Sequence, residues 1–378
     1  MLHMIIFRLF KFIWISLTPS ALHMAESRSL LQGPVLAMTK AVSKSRSTGR
    51  ATLAAVGASA GVSTMTASRA LNRPDLVSEE VLLRVQKAVA ALGYVPNRAA
   101  RALASSESNV IVVLVPSLSN FVFNAVIDGI QEVVDAANYQ LLIGNTRYSD
   151  AEEEKLLSIY LQSNPMGILL SGLTHSARVE QLLATSGVPV VSMMDLSTDP
   201  AKLSVGFSQH EAGRTMTNYL IDKGYKRIGF IGAQLDERTL SRAAGYRKAM
   251  LDAGLADARL ELMVPDASSI ALGAELLGRM LAQAPDCDAI FCCNDDLAHG
   301  AIYQCQRRGI AVPERLAICG FNDLPASAWM VPSVTTISTP RYRIGFEAAT
   351  LLRNAIAGRV PAVGQIDLGF TLMPRESA

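Results

Sequence analysis

From Thr52 to Leu103 the apolar positions recur at helical spacing, and from Val110 onward short unbroken apolar runs alternate with amphipathic stretches. These two patterns predict two kinds of structure. In the first region, residues 54–59 read as a short apolar helix. Gly61 follows where a tight turn needs positive φ, and Ser63 stands where an N-cap belongs, ahead of a second helix at 64–71. Two short helices joined through a glycine-containing turn make a helix-turn-helix. One side of the second helix carries Thr64, Thr66, Ser68, Arg69 and Asn72, with Met65 exposed at its start. Such groups can meet base edges and phosphates. A third helix at 81–92 has Ser78 as its cap and Glu79 and Glu80 near its start, where the helix dipole favours them. Its stripe Val81, Leu82, Val85, Val89 and Leu92 closes a three-helix core. Pro96 stops this unit, Asn97 can cap a short helix at 98–103, and 105–109 reads as a polar linker.

The second region alternates strand and helix. Runs at 110–116, 140–145, 167–172 and 188–195 suit buried parallel strands, with helices at 123–137, 150–162 and Ala177–Ser186 between them. A second series follows: a helix at 211–223, strands at 227–232, 260–264, 289–294 and 316–321, and helices at 239–253, 270–284 and 296–308. This is the signature of a doubly wound parallel sheet, here twice over. Two such lobes make the cleft between them the default ligand site. Gly229, Gly232 and Gly320 are isolated, so no glycine-rich phosphate fingerprint supports a nucleotide cofactor, and none is expected.

Charge sharpens the division. The net charge is only +2, yet residues 38–106 carry ten Lys/Arg against three acids, and residues 107–378 are net acidic. A basic head on an acidic body implies a polyanionic partner for the head alone. The five cysteines, Cys287, Cys292, Cys293, Cys305 and Cys319, have no zinc spacing and read as reduced core thiols in a reducing cytoplasm. Residues 1–37 are atypical. Residues 4–17 are apolar but short and interrupted by Arg8 and Lys11, a poor match to a membrane span. Translation from Met38 or Met24 would make this extension a start-site artefact; a membrane tether is the other reading. Residues 39–50 form a basic arm able to add phosphate contacts.

Together these features resemble the LacI family of bacterial repressors, from Thr52 to the C-terminus. The most specific match is TL..V...AGVS..T.SR.LN followed by VS......V..A...LGYVPN.AAR.L, supported by PSLSNFVF, CNDDLAHGA, GFND and PSVTTI. LDERT, GYRKAMLDAGL, CQRRGIAVP and DLGFTL are similar to the gluconate-utilization branch. The resemblance implies domains at 38–95 (arm and helix-turn-helix), 96–109 (hinge and linker) and 110–378 (two-lobed effector and dimerisation domain, of the periplasmic-binding-protein type). It implies that Thr64, Met65, Thr66 and Arg69 read the major groove of operator DNA, with Ser63, Ser68 and Asn72 on phosphate. Asn97, Arg98 and Leu103 would belong to a minor-groove hinge in which Leu103 is the wedge, and two hinges imply a homodimer on a pseudo-palindrome. Effector contacts would map to Asn120, Phe123, Asp195, Arg242, Asn294 and Asn322, with Arg238 nearby. The chain departs from the family at Ala55, usually Asp, at Gly57, usually Ala, and at Ala67, commonly Val. Asn322 stands where sugar-binding relatives usually have Asp. Loss of that carboxylate beside two arginines suits an anionic sugar acid such as gluconate.

The chain therefore reads as a cytoplasmic, nucleoid-associated repressor of sugar-acid utilization genes, with DNA affinity controlled by a small effector that releases it from DNA or, as a corepressor, tightens it, and with no stable membrane partner. A solute-binding protein without DNA function, and a regulator of another carbohydrate pathway, are the alternatives. No nucleophile elbow or oriented catalytic partner supports an enzyme. Of the other polar features, Asp295 reads as a helix cap with Asp296 solvated, and Glu152–Glu154 as a solvated helix start. Thr174 and His175 could add contacts to the effector, or His175 could be a solvated loop residue. Trp329 could line the cleft or pack where the chain crosses between lobes.

Overall fold

The computed structural model describes residues 51–95, 108–359 and 361–378. The N-terminal extension, the basic arm, and the hinge positions Asn97, Arg98 and Leu103 lie outside the described residues. The described chain forms two compact units that meet in sequence at Pro96/Asn97.

The first unit is three helices, α1 (Leu53–Ala60), α2 (Thr64–Asn72) and α3 (Glu79–Leu92). Each starts on a hydroxyl cap. Thr52, Ser63 and Ser78 accept from the N–H groups of Ala55, Thr66 and Val81, satisfying donors that a helix start leaves orphaned. Gly61 and Gly93 end α1 and α3 in the left-handed region. The core is Val56, Ala60, Ala67, Ala70, Val85 and Ala88. Ala88 takes the place expected of Leu92, which is 39% exposed. Gly57 explains itself: an added Cβ would lie 3.0 Å from the carbonyl oxygen of Val62. The α1–α2 turn therefore packs onto the helix at the one residue without a side chain.

The second unit has two lobes. In the first, β1 (Val110–Val115), β2 (Gln140–Asn145), β3 (Gly167–Ser171), β4 (Val190–Met193), β5 (Leu203–Gly206) and β11 (Gln365–Asp367) form one sheet in the order β11-β5-β4-β3-β1-β2, every pair parallel. Alternate residues of β1 enter different cores. Ile111, Val113 and Val115 pack on one face, Val112 and Leu114 on the other. This is why an unbroken apolar run, rather than an alternating one, encodes the strand. The flanking helices are α4 (Phe121–Ala136), α5 (Asp150–Leu161), α6 (Ala177–Ser186) and α11 (Arg341–Ile356).

In the second lobe, β6 (Ile228–Ala233), β7 (Glu261–Val264), β8 (Ala289–Cys292) and β9 (Ala317–Cys319) form a parallel sheet in the order β7-β6-β8-β9. Its helices are α7 (Gln209–Asp222), α8 (Glu237–Asp252), α9 (Ile270–Gln283) and α10 (Asp295–Arg308). All five cysteines are buried free thiols, and burial pushes Cys287 up to about 12. A small antiparallel pair, β10 (Thr336–Ser338) with β12 (Thr371–Met373), lies where the chain returns between the lobes. It does so around 206–209, 338–341 and 367–371, so three strands of chain hinge the cleft.

β5, β10, β11, β12 and α11 are absent from the sequence reading. The four strands are only three or four residues long, too short for a period to register. In α11 the buried stripe Ile344, Gly345, Ala348, Ala349, Leu351 and Leu352 is half small residues, which dilutes its hydrophobic contrast. Among the described residues no helix is long and apolar enough to cross a membrane.

Candidate functional site

Two surfaces carry the polar residues singled out from sequence. On α2, Met65 is 72% exposed, and Thr64, Arg69 and Asn72 are exposed as well. Ala67 and Ala70 anchor the opposite face. Arg69 makes no ion pair among the described residues, so its guanidinium is free to meet a partner. The remaining polar groups are partly committed. Ser63 Oγ accepts the Thr66 N–H at 3.1 Å and lies 2.9 Å from Thr66 Oγ1. Asn72 Nδ2 donates to the Ser68 carbonyl at 2.9 Å. The structure thus separates a free trio, Thr64, Met65 and Arg69, from a set that braces the helix.

The second surface is the interlobe cleft, and it is built around Arg242. This side chain is 7% exposed. Its Nε donates to Gln209 Oε1 at 2.8 Å and its Nη1 to the Cys293 carbonyl at 2.7 Å. Its guanidinium lies 3.8 Å from the centroid of the Phe321 ring. Gln209 is itself fixed, donating to the Met194 carbonyl at 2.8 Å. Close packing of α7 on α8 sets the position: a Cβ on Gly213 would strike the backbone of Arg242. Burial lowers the Arg242 pKa to about 10, and among the described residues no carboxylate oxygen lies within 4.0 Å of it.

The other expected effector residues gather around this arginine. Arg238 is paired with Asp236, donates to Ser171 Oγ of the first lobe at 3.3 Å and lies 5.5 Å from the Phe123 ring centroid. Asp236 stays below its usual range despite burial, because Arg238 faces it. Asp195 moves the other way. Burial raises its pKa against the pull of the Leu196 N–H, with Glu237 adding repulsion. Asn294 and Asn322 each directly follow a residue that touches Arg242. Asn294 Oδ1 caps α10 through the Leu297 N–H, and its Nδ2 donates to Ser268 Oγ at 2.8 Å. Asn120 likewise caps α4, accepting the Val122 N–H at 3.0 Å. Phe123 is a fully buried core side chain, contacting the site through Arg238.

Several residues join the site that sequence reasoning missed. Tyr148 lies near Asn120 and Arg238, and burial raises its pKa against the pull of Arg238. Gln209 holds Arg242. The Glu237 carboxylate accepts the Thr174 N–H at 3.2 Å, across the cleft. Arg341 donates Nη2 to the Asp323 carbonyl at 3.0 Å. Among the described residues, six of the eight non-glycine residues with positive φ, Arg147, Tyr148, Met194, Gln234, Asn322 and Asp323, follow strands β2, β4, β6 and β9 at their carboxyl ends. Strained backbone of this kind concentrates at ligand sites, but no sequence period announces it.

Other expectations are corrected. Asp295 is not a cap; Asn294 is. Asp295 is fully buried and accepts from the Leu324 N–H, the Ser327 hydroxyl and the Thr336 hydroxyl. Asp296 is half-buried rather than solvated. Glu153 is buried against His175, with Nδ1 3.0 Å from Oε2, and Glu154 accepts from Ser176 at 2.6 Å. His175 is thus not solvated: it braces α5 against the β3–α6 loop. Trp329 is 87% exposed, so it does not pack where the chain crosses between lobes. Among the described residues no cluster of His, Cys, Asp and Glu could hold a metal ion.

Known proteins match both surfaces. Residues 52–97 fit the family of bacterial regulatory proteins, lacI family, and residues 217–378 fit a periplasmic binding protein-like domain. The HTH-type transcriptional regulator GntR of Pseudomonas aeruginosa is 46% identical over 342 residues, covering 90% of this chain and 100% of that protein. The crystal structure of the transcription regulator GntR from Chromobacterium violaceum is 52% identical with a TM-score of 0.70, over 71% of this chain and 98% of that one. A LacI-family transcriptional regulator from Silicibacter pomeroyi superposes with a TM-score of 0.80 at 33% identity, over 86% of this chain and 99% of that one. The chain belongs to the lacI family of bacterial regulatory proteins and is a helix-turn-helix, DNA-binding transcriptional regulator, not an enzyme.

Proposed function

We propose that this regulator is a dimeric, cytoplasmic repressor of sugar-acid utilization, with gluconate or a close relative as the effector that releases it from operator DNA. The observation that carries the effector class is Arg242: a buried guanidinium, oriented by Gln209 and the Cys293 carbonyl, with no carboxylate within 4.0 Å among the described residues. Holding an unpaired charge in a low-dielectric site is costly, and a carboxylate supplied by the ligand relieves that cost through charge-assisted hydrogen bonds. Asn322, an amide next to the Arg242-stacked Phe321, adds no competing negative charge. In this reading Asp195, Tyr148 and Asn120 take the sugar hydroxyls, while Thr64, Met65, Thr66 and Arg69 read bases and Ser63, Ser68 and Asn72 meet phosphates. The effector acts by preferring the closed arrangement of the lobes over the one that supports DNA binding.

Calorimetry on the full chain tests the effector class. Gluconate binds and glucose does not; Arg242→Gln abolishes gluconate binding, and Asn322→Asp weakens it on the order of tenfold, the scale of one charge-assisted contact. Gel shift with the chain's own upstream DNA shows gluconate lowering operator affinity. Preference for the neutral hexose, or indifference to Asn322→Asp, overturns the reading.

A further inference from the structure

The second passage of chain between the lobes carries polar groups left without partners among the described residues. Thr339 is 6% exposed, and its hydroxyl has no hydrogen-bond partner among the described residues. Two residues on, Arg341 Nη1 is buried and also without a partner. Between them Pro340, at φ −78 and ψ 55, forms an inverse γ-turn closed by the Arg341 N–H donating to the Thr339 carbonyl at 2.8 Å. That turn holds the two residues close together. It also begins α11, whose N-cap is Pro340 and which has no side-chain cap. Each of the other ten α-helices among the described residues has one. The place is not remote from the cleft, since the Asn322 N–H donates to the Ile337 carbonyl at 2.9 Å and Asn322 bridges to Ser338. As with Arg242, no carboxylate lies within 4.0 Å of Arg341 among the described residues.

A buried hydroxyl, a buried guanidinium N–H and the free N–H groups of a helix start are all donors. Their common complement is an oxyanion, because the helix dipole and the arginine both favour negative charge there. We propose that Thr339, Arg341 and the start of α11 form an oxyanion subsite, and that the effector is a sugar acid bearing a second anionic group, a phosphate ester, that binds in it. The inference rests on the reading of Arg242 as the carboxylate clamp. One pole of the ligand meets Arg242 and the other meets Arg341, with the polyol between them near Asn322. A tetrahedral phosphate offers acceptors in three directions, which suits donors that are not coplanar.

Titration calorimetry of the full chain with 6-phosphogluconate, with gluconate, and with gluconate plus inorganic phosphate tests it. Binding of 6-phosphogluconate is at least tenfold tighter than that of gluconate. In Arg341→Gln this preference falls to twofold or less, and in the near-isosteric Thr339→Val it falls severalfold. Inorganic phosphate alone does not reproduce the gain. Equal affinity for the two sugar acids, or a preference that survives both variants, overturns the subsite while leaving the gluconate reading intact. Tightening of gluconate by free phosphate to the same extent shows a separate anion site and overturns the two-pole effector. If neither sugar acid binds, both readings fall together. Should Arg341→Gln not fold, Thr339→Val carries the test.

Discussion

The recognition face of α2 and the cleft around Arg242 use the same polar chemistry in opposite ways. On α2 the reading groups stand in water: Met65 is 72% exposed, and Arg69 has no ion pair among the described residues. In the cleft Arg242 is 7% exposed and already holds two hydrogen bonds and an aromatic face. The difference follows from the partner. DNA brings a large, charged, hydrated surface to the protein, so a side chain can wait solvated and be spent on contact. A small effector must be enclosed, so its binding groups are pre-set and their burial is borne by the fold. Substitutions on the first surface are expected to change affinity without changing stability; near the second they change both.

The largest effect falls on the buried network behind the cleft. Asp295 joins Leu324, Ser327 and Thr336, and Ser327 Oγ lies 2.9 Å from His299 Nε2. Asp295→Asn places an amide N–H against one of those donors and is expected to cost about 2–3 kcal/mol in urea unfolding, the cost of leaving buried groups unsatisfied. Its pH dependence sharpens the point. Burial raises Asp295 from 3.8 to about 6, so its contribution to stability is full below its unfolded pKa and is lost as pH rises to about 6. Burial lowers His299 from 6.5 to about 4, so its contribution is full above its unfolded pKa and is lost as pH falls to about 4. In the native chain the two slopes oppose each other. The variant removes the first, so its stability falls more steeply than the native protein's between pH 6.5 and 4. An unchanged slope would show that these two groups do not govern acid stability.

Next in size is Arg69→Ala. It removes an exposed group without an internal partner, so operator affinity falls by roughly tenfold or more, as for one base-edge contact, while the melting temperature stays within a degree or two. A variant that melts lower without losing DNA affinity would reverse the comparison and make Arg69 structural.

These two positions also show what the sequence discloses. The α2 face was legible because its chemistry is local: a cap, a glycine turn and a polar stripe lie within ten residues and keep their meaning in the fold. The strand–helix alternation was legible for the same reason, through unbroken apolar runs such as that of β1. The cleft was legible only in part. Arg242, Asp195 and Asn322 come from different strand ends, and their gathering depends on which strands adjoin. Asp295 was misjudged because its partners lie 29 to 41 residues away, and nothing local distinguishes a capping aspartate from a buried one. Tyr148, Thr339 and Arg341 carry no motif, and their importance appears only as burial without a partner or as strained backbone.

The smallest effect tests the first helix, where sequence and structure give opposing forces of similar size. Alanine at position 57 gains helix propensity over glycine of about 0.5–1 kcal/mol. Its Cβ would meet the Val62 carbonyl oxygen at 3.0 Å and the Thr64 nitrogen at 3.3 Å. Both atoms belong to the turn that sets α2 against α1, a turn tied down by the Val62 N–H donating to the Gly57 carbonyl at 2.9 Å. A few tenths of an ångström of yielding is needed, and it must come from backbone rather than from a flexible side chain. Gly57→Ala is therefore expected to stabilise the headpiece by less than the propensity difference, under about 0.5 kcal/mol by chemical denaturation. Because any yielding moves the start of α2, operator affinity drops about twofold, on the scale of a few tenths of a kcal/mol. Recovery of the full propensity gain with unchanged DNA affinity would show the turn to be soft, and Gly57 to be a tolerated weakness rather than a fitted contact.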